Sequence, residues 1–177
     1  MTQLLETRQI VESAEAAVPL EQTLVELIDL SLQAEQAHWS FAGPGSQGIH
    51  LFLDRLIDQY GDWHDELTER LGAISASSED RAAILAAATP LELLPEGQLR
   101  DRDVIAFFDE RITRLADRVR ARLEPVGIDD PISQEILASI VNWLDKQSQM
   151  LRIHHAVRRR PTTLRRGSLG RAASSAA

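Results

Sequence analysis

The sequence predicts an all-α protein: four long helices in two pairs, joined by one long crossover. Three observations predict it. Apolar residues recur at spacings of three and four, few segments alternate with period two, and aromatic content is only 5%. Four stretches of bundle-helix length are each bounded by Pro, Gly or a capping residue. The connection between the second and third is much the longest, so the chain crosses over there rather than turning back.

The first helix is expected from about Pro19 to Trp39. Pro19 suits a first helical position, and Leu24, Leu27, Leu30 and Ala34 form an apolar stripe. The second is expected from about Gln47 to Leu71, with Ser46 as N-cap and Gly72 just past its end. The crossover "AISASSEDRAAILAAATPLELLPEGQ" follows, with a short helix near Arg81–Ala88 or Pro90–Leu94. The third runs from about Asp101 to Leu123, with Val104, Phe107, Phe108, Ile112, Leu115 and Val119 inward, and "EPVGIDDP" breaks it. The fourth runs from about Ile132 to Val157, with Ile136, Ile140, Leu144 and Leu151 inward. Residues 18–157 therefore read as one bundle, with an N-terminal extension over 1–17 and a tail over 158–177.

Composition narrows the chemistry. A chain of 177 residues that is 44% apolar suits one domain with a substantial core. The absence of cysteine rules out disulfides and thiolate metal sites, and fits a reducing cytoplasm. The first twenty residues mix acids with apolar residues and lack the apolar core of a signal peptide. No run of 18 apolar residues occurs, so no membrane partner is expected. The net charge of −8 hides an asymmetry: from Arg152 onward there are seven arginines and no acid, which leaves −15 on residues 1–151. The acidic body suits cations. The tail "RRRPTTLRRGSLGRAASSAA" lacks apolar periodicity and reads as disordered. Its Arg158, Arg159, Arg160, Arg165, Arg166 and Arg171 can bind phosphate backbones without reading sequence. A solubilising tail, or one packed on its own acidic body, is the alternative.

The second helix carries His50, Asp54, Asp65 and Glu69. At about 100° per residue they point at roughly 0°, 40°, 60° and 100°, all on one face. Imidazole and carboxylate are the donors that Fe²⁺, Mn²⁺ or Zn²⁺ take. Asp54 and Asp65 are eleven residues apart, about 16 Å along the axis, so one helix cannot bring both pairs to one ion. An antiparallel second copy can. The positions of His50 and Glu69 sum to 119, as do those of Asp54 and Asp65, so one register aligns both pairs about a twofold axis. Two equivalent sites then lie roughly 22 Å apart. Gly61, near the centre of that register, lets two helices approach closely. A solvated polar face is the competing reading, because Asp58, Asp62, His64 and Glu66 make this helix polar anyway. His38 closes the first helix, and the Gly/Pro turn after it can fold it back beside His50.

These residues carry a resemblance. "HWSFAGPGSQGIHLFLDRLIDQYGDWHDELTERLG" is similar to the signature of the Dps family, DNA-binding proteins from starved cells and members of the ferritin-like class. His38, Trp39, Gly43, His50, Asp54, Asp65, Glu69 and Arg70 fall in its register, and "DDPISQEILASIVNWLDKQSQMLRIHH" resembles the family's last helix. The similarity spans about Leu20 to His155. It implies a ferritin-like four-helix bundle with a short helix in the crossover, assembled into a hollow homo-dodecamer built from twofold dimers. It also implies an iron ferroxidase centre across the dimer interface, with His38, His50 and Asp54 from one chain and Asp65 and Glu69 from its mate. Family members oxidise Fe²⁺ with hydrogen peroxide or O₂, store ferric mineral and protect DNA, and many bind DNA non-specifically in the nucleoid of the cytoplasm. The sequence departs from the family at Ser40, at Ser46 or Gln47, and at Gln149, where the family has Asn, Phe and Trp. None of these is a ligand.

The resemblance also suggests secondary sites. Trp39, beside His38, can donate an electron and quench radicals, although core packing is the commoner use of such a Trp. Asp130 and Glu135 are candidates for an acidic iron pore; a helix cap and dipole partner are the alternative uses. A ferritin with its iron centre inside each bundle would need Glu-x-x-His on two helices, and only "EQAH", Glu35–His38, occurs. A nucleoid-compacting protein with secondary iron chemistry is the remaining rival.

Overall fold

The computed structural model describes residues 2–40, 46–74, 100–127 and 130–158, with side chains over 17–40, 47–74, 100–127 and 130–154. These described residues form four helices: α1 (Thr2–Ser40), α2 (Ser46–Ile74), α3 (Asp101–Gly127) and α4 (Pro131–Arg158). They form the expected all-α four-helix bundle. The packing is hairpin-like, α1 lying mainly against α2 and α3 mainly against α4. The expected crossover helix near Arg81–Ala88 or Pro90–Leu94 and the tail from Arg159 onward lie outside the described residues.

The inward stripes read from the sequence line the core. Leu24, Leu27, Leu30 and Ala34 of α1 are buried, as are Val104, Phe108, Ile112, Leu115 and Val119 of α3 and Ile136, Ile140, Leu144 and Leu151 of α4. From α2 come Leu53, Leu56, Tyr60, Leu67 and Leu71. Phe107 is only partly buried; the Arg111 guanidinium lies 3.5 Å from its ring centroid and shields its outer face.

Three helix ends differ from expectation. α1 begins at Thr2 and runs through Pro19, which is interior and not a first-turn residue. Pro19 lacks an N–H for its own turn, while its carbonyl accepts a hydrogen bond from Thr23 Oγ1 at 2.8 Å. α2 continues through Gly72 to Ile74, so Gly72 is not the residue beyond its end. α3 passes Leu123 and Pro125 and stops at Gly127. Val126 is 2% exposed, and burial at the far end holds the last turn in place despite the proline.

Polar contacts join the two hairpins. Glu26 of α1, 7% exposed, accepts hydrogen bonds from Arg118 and Arg122 of α3, the latter at 2.7 Å. Arg122 also donates to Thr23 Oγ1 at 3.0 Å. One turn on, Gln33 donates to Asp29 at 3.2 Å and accepts from Arg111 Nε at 2.9 Å. A buried carboxylate left alone would be costly; two guanidiniums satisfy this one.

The outer face of α1 is less ordinary. Val18, Leu32 and Trp39 stand at multiples of seven residues and are 50%, 58% and 79% exposed. Val25, on the same line, is covered. At about 100° per residue this line runs opposite the core stripe. A seven-residue apolar line is the pattern of a helix that packs against another helix.

Candidate metal centre

The turn between α1 and α2 brings two histidines and one acid together. His38 ends α1 and His50 lies in the second turn of α2, and their rings meet edge to face with centroids 4.5 Å apart. One turn after His50, Asp54 places Oδ1 3.0 Å from His38 Nε2. Ile49 and Leu53, both buried, set the roll of α2 here, so Asp54 projects outward while His50 is half-buried. The result is a compact His–His–Asp cluster at the surface, with the His38 and Asp54 side chains 31% and 52% exposed.

Asp65 and Glu69 lie on the same face of α2, at its other end. Both are exposed, and Asp65 Oδ1 is 3.1 Å from His64 Nδ1 of its own helix. The structure thus brings His38, His50 and Asp54 together and does not bring Asp65 or Glu69 to them. Among the described residues of one chain, no group of three or more His and acidic side chains is arranged to hold a metal ion. At Gly61, between the two ends, an added Cβ would meet nothing within 4 Å. The outward face of α2 is therefore flat at its midpoint.

Trp39 is not a core residue: with 79% of its surface exposed it stands beside His38 on the outer face. Asp130 has a structural job. It precedes α4 as its N-cap, accepting from the Ser133 N–H at 3.1 Å and from the Ser133 hydroxyl. Arg70, at the far end of α2, donates Nη2 to both Asp130 oxygens at 2.8 Å and Nε to Ser133 Oγ at 2.9 Å. Burial works to raise the Asp130 carboxyl, but hydrogen bonds from Arg70 and Ser133 together hold it below its ordinary value. Glu135 is exposed on the next turn. Sequence reading missed the Arg70–Asp130 pair and the Glu26 cluster. The available signal was the run of Glu26, Asp29 and Gln33 at helical spacing beside an apolar stripe, which marks a helix face both polar and covered.

Residues 19–159 match the family model described as the ferritin-like domain. The chain is 30% identical to Dps92 from Deinococcus radiodurans, whose crystal structure superimposes with a TM-score of 0.74 over 80% of this chain and 86% of that one. The chain belongs to the Dps family of ferritin-like proteins. It is also 32% identical over 133 residues to DNA protection during starvation protein 2 of the same organism, a match covering 75% of this chain and 55% of that longer protein. A Dps from Microbacterium arborescens, solved in a high iron form, is 26% identical with a TM-score of 0.73, covering 82% of this chain and 95% of that one. Among the described residues, no helix is long and apolar enough to cross a membrane.

Proposed function

We propose that this Dps-family chain is a ferroxidase that oxidises Fe²⁺ with hydrogen peroxide or O₂, stores ferric mineral inside a homo-dodecameric shell and so protects DNA. Iron is substrate and cargo. The observation that carries the reading is the cluster of His38, His50 and Asp54 at the α1–α2 turn, together with Asp65 and Glu69 displayed about 16 Å away on the same helix face. One chain supplies each half, and an antiparallel second copy places one half opposite the other. The flat midpoint at Gly61 and the seven-residue apolar line ending at Trp39 support such a pairing.

In this reading the two histidines and Asp54 bind the ion from one chain, and Asp65 and Glu69 complete the set from the other. Neutral imidazole suits Fe²⁺, and carboxylates favour the ferric product, so the mixed donor set lowers the cost of oxidation. The His38–Asp54 contact keeps the two side chains aimed at one point until an ion takes their lone pairs. Trp39, exposed beside His38, is placed to give up an electron to a stray radical. Glu135 remains a candidate for the iron entry pore, and Asp130 would contribute there as a structural cap. The Arg158–Arg171 segment would hold DNA through phosphate contacts alone, which places the protein in the cytoplasm at the nucleoid.

The test is complementation. His50→Ala and Asp65→Ala are each expected to lose Fe²⁺ oxidation. Unfolding and reassembling the two variants together should restore a fraction of intact sites, because mixed dimers contain one complete set. Recovery no greater than the sum of the separate variants would sink the shared-site reading. Anaerobic Fe²⁺ loading followed by peroxide tests the chemistry itself: oxidation no faster than in buffer would refute it. Removing residues 158–177 should abolish salt-sensitive DNA retention while sparing iron oxidation.

A further inference from the structure

A second site lies on the flank of α2 turned away from His50. Gly48, Ile49, Leu51, Phe52 and Arg55 of α2, Ile105 of α3, and Met150, Leu151 and His154 of α4 line a groove of about 220 Å³. On α2, Phe52 and Arg55 point roughly 200° and 140° from His50, off the metal-ligand face, and Leu51, at roughly 100°, marks the border between the two.

Its lining is unlike the rest of the surface. The chain carries 27 acids against 19 lysines and arginines, yet among the described residues no acid lines this groove. The floor is aliphatic and aromatic, and Leu51 and Met150 remain 51% and 39% exposed over it. Two basic side chains stand at the rim. Neither Arg55 nor His154 is joined to another described residue by a hydrogen bond or ion pair. Other described surface arginines are engaged, among them Arg100 with Asp103, Arg114 with Glu110, and Arg120 with Asp117 and Asp145. Arg55 is therefore a guanidinium facing solvent beside an uncovered apolar floor.

We infer that this groove binds a medium-chain aliphatic carboxylate, its carboxylate on Arg55 with His154 beside it and its chain along Phe52, Ile105, Met150 and Leu151. The charge fits an anion and excludes a cation. The floor rewards an apolar body at about 25 cal/mol per Å² covered. The size fits too: a cavity of about 150 Å³ holds benzene, so about 220 Å³ matches a chain of roughly eight carbons. A guanidinium fork takes a carboxylate at two points, which sets the head group's orientation. This site is independent of the iron chemistry proposed above.

The experiment is isothermal titration of the full chain with sodium octanoate. Octylammonium serves as the same body with the opposite charge, and acetate as the head without the body. Saturable binding of one octanoate per chain is expected, with no competition from octylammonium and no heat from acetate at equal concentration. Arg55→Gln should weaken octanoate about five-fold, the scale of an exposed ion pair. Met150→Glu should remove binding. Both residues are exposed, so helicity and thermal midpoint should not change. Absence of saturable octanoate binding, as when a second copy fills the groove in the assembly, would overturn the inference. So would octylammonium binding as tightly as octanoate, or an unchanged affinity in Arg55→Gln.

Discussion

Arg70 and Asp130 meet at two points, Nη2 lying 2.8 Å from each carboxylate oxygen, across sixty residues of sequence. The pair ties the end of α2 to the cap of α4, with side chains only 19% and 11% exposed. Asp130→Asn is expected to cost about 2 kcal/mol, because it leaves a half-buried guanidinium short of its charge partner and weakens the cap. Urea midpoints would measure it. The effect has a pH signature. Asp130 is held below its ordinary value of 3.8, so its contribution is fully present above about pH 4 and lost as pH falls through the lowered value. The stability gap between the parent and Asp130→Asn should therefore close in acid. A gap unchanged at pH 3 would refute the pairing as its source.

Gly61 separates folding from assembly. Its Cβ position is open within the chain, so Gly61→Leu should fold with full helicity and gain up to about 1 kcal/mol per subunit from helix propensity. The same side chain would push apart two α2 helices crossing near residue 60. Sedimentation velocity should show a smaller particle, and iron oxidation should fall with it. A full-size, active particle would show that α2 is not the twofold contact.

Tyr60 is the chain's one tyrosine, and burial pushes its phenol well above the usual 10.0. Its buried hydroxyl has no hydrogen-bond partner among the described residues, and its ring meets Trp143 edge-on at 5.4 Å. A raised pKa for a group neutral when folded gives stability that is present below pH 10 and lost as pH climbs toward the folded value. Absorbance at 295 nm should stay flat through pH 10 and rise only with loss of helicity by circular dichroism. Ionisation near pH 10 in a folded chain would contradict the buried position.

Glu26 anchors α1 to α3. Glu26→Gln keeps the shape and removes the charge that Arg118 and Arg122 share. The expected loss is about 2–3 kcal/mol, near the lower edge of a broken buried pair because Arg118 stays 39% exposed. Thermal unfolding with and without 0.5 M salt would test it. Salt should leave the difference nearly unchanged, since a covered pair is screened little.

The helices were legible because burial writes itself as a 3.6-residue period, and the stripes ending at Ala34, Val119 and Leu151 are where the periodicity put them. The boundaries were less legible at Pro19, Gly72 and Pro125, since propensity is local and packing overrode it at each. The meeting of His38, His50 and Asp54 could be read because a short turn links neighbouring helices. Glu26 with Arg122, 96 residues away, could not be, because no local rule relates positions on non-adjacent elements. The groove at Arg55 escaped for the same reason: three helices build it, and each one alone shows only an ordinary surface.

The seam between the two hairpins has a consequence for how the chain finds its fold. Leucines on either side can mate in several offsets, one helical turn apart, at similar cost. The charged partners cannot. A slip of α3 by one turn along α1 would strand Glu26 from Arg122 and Gln33 from Arg111, and would leave Arg70 reaching for a cap that had moved. The apolar interior supplies adhesion, and these few contacts act as a key that only one alignment of the hairpins turns.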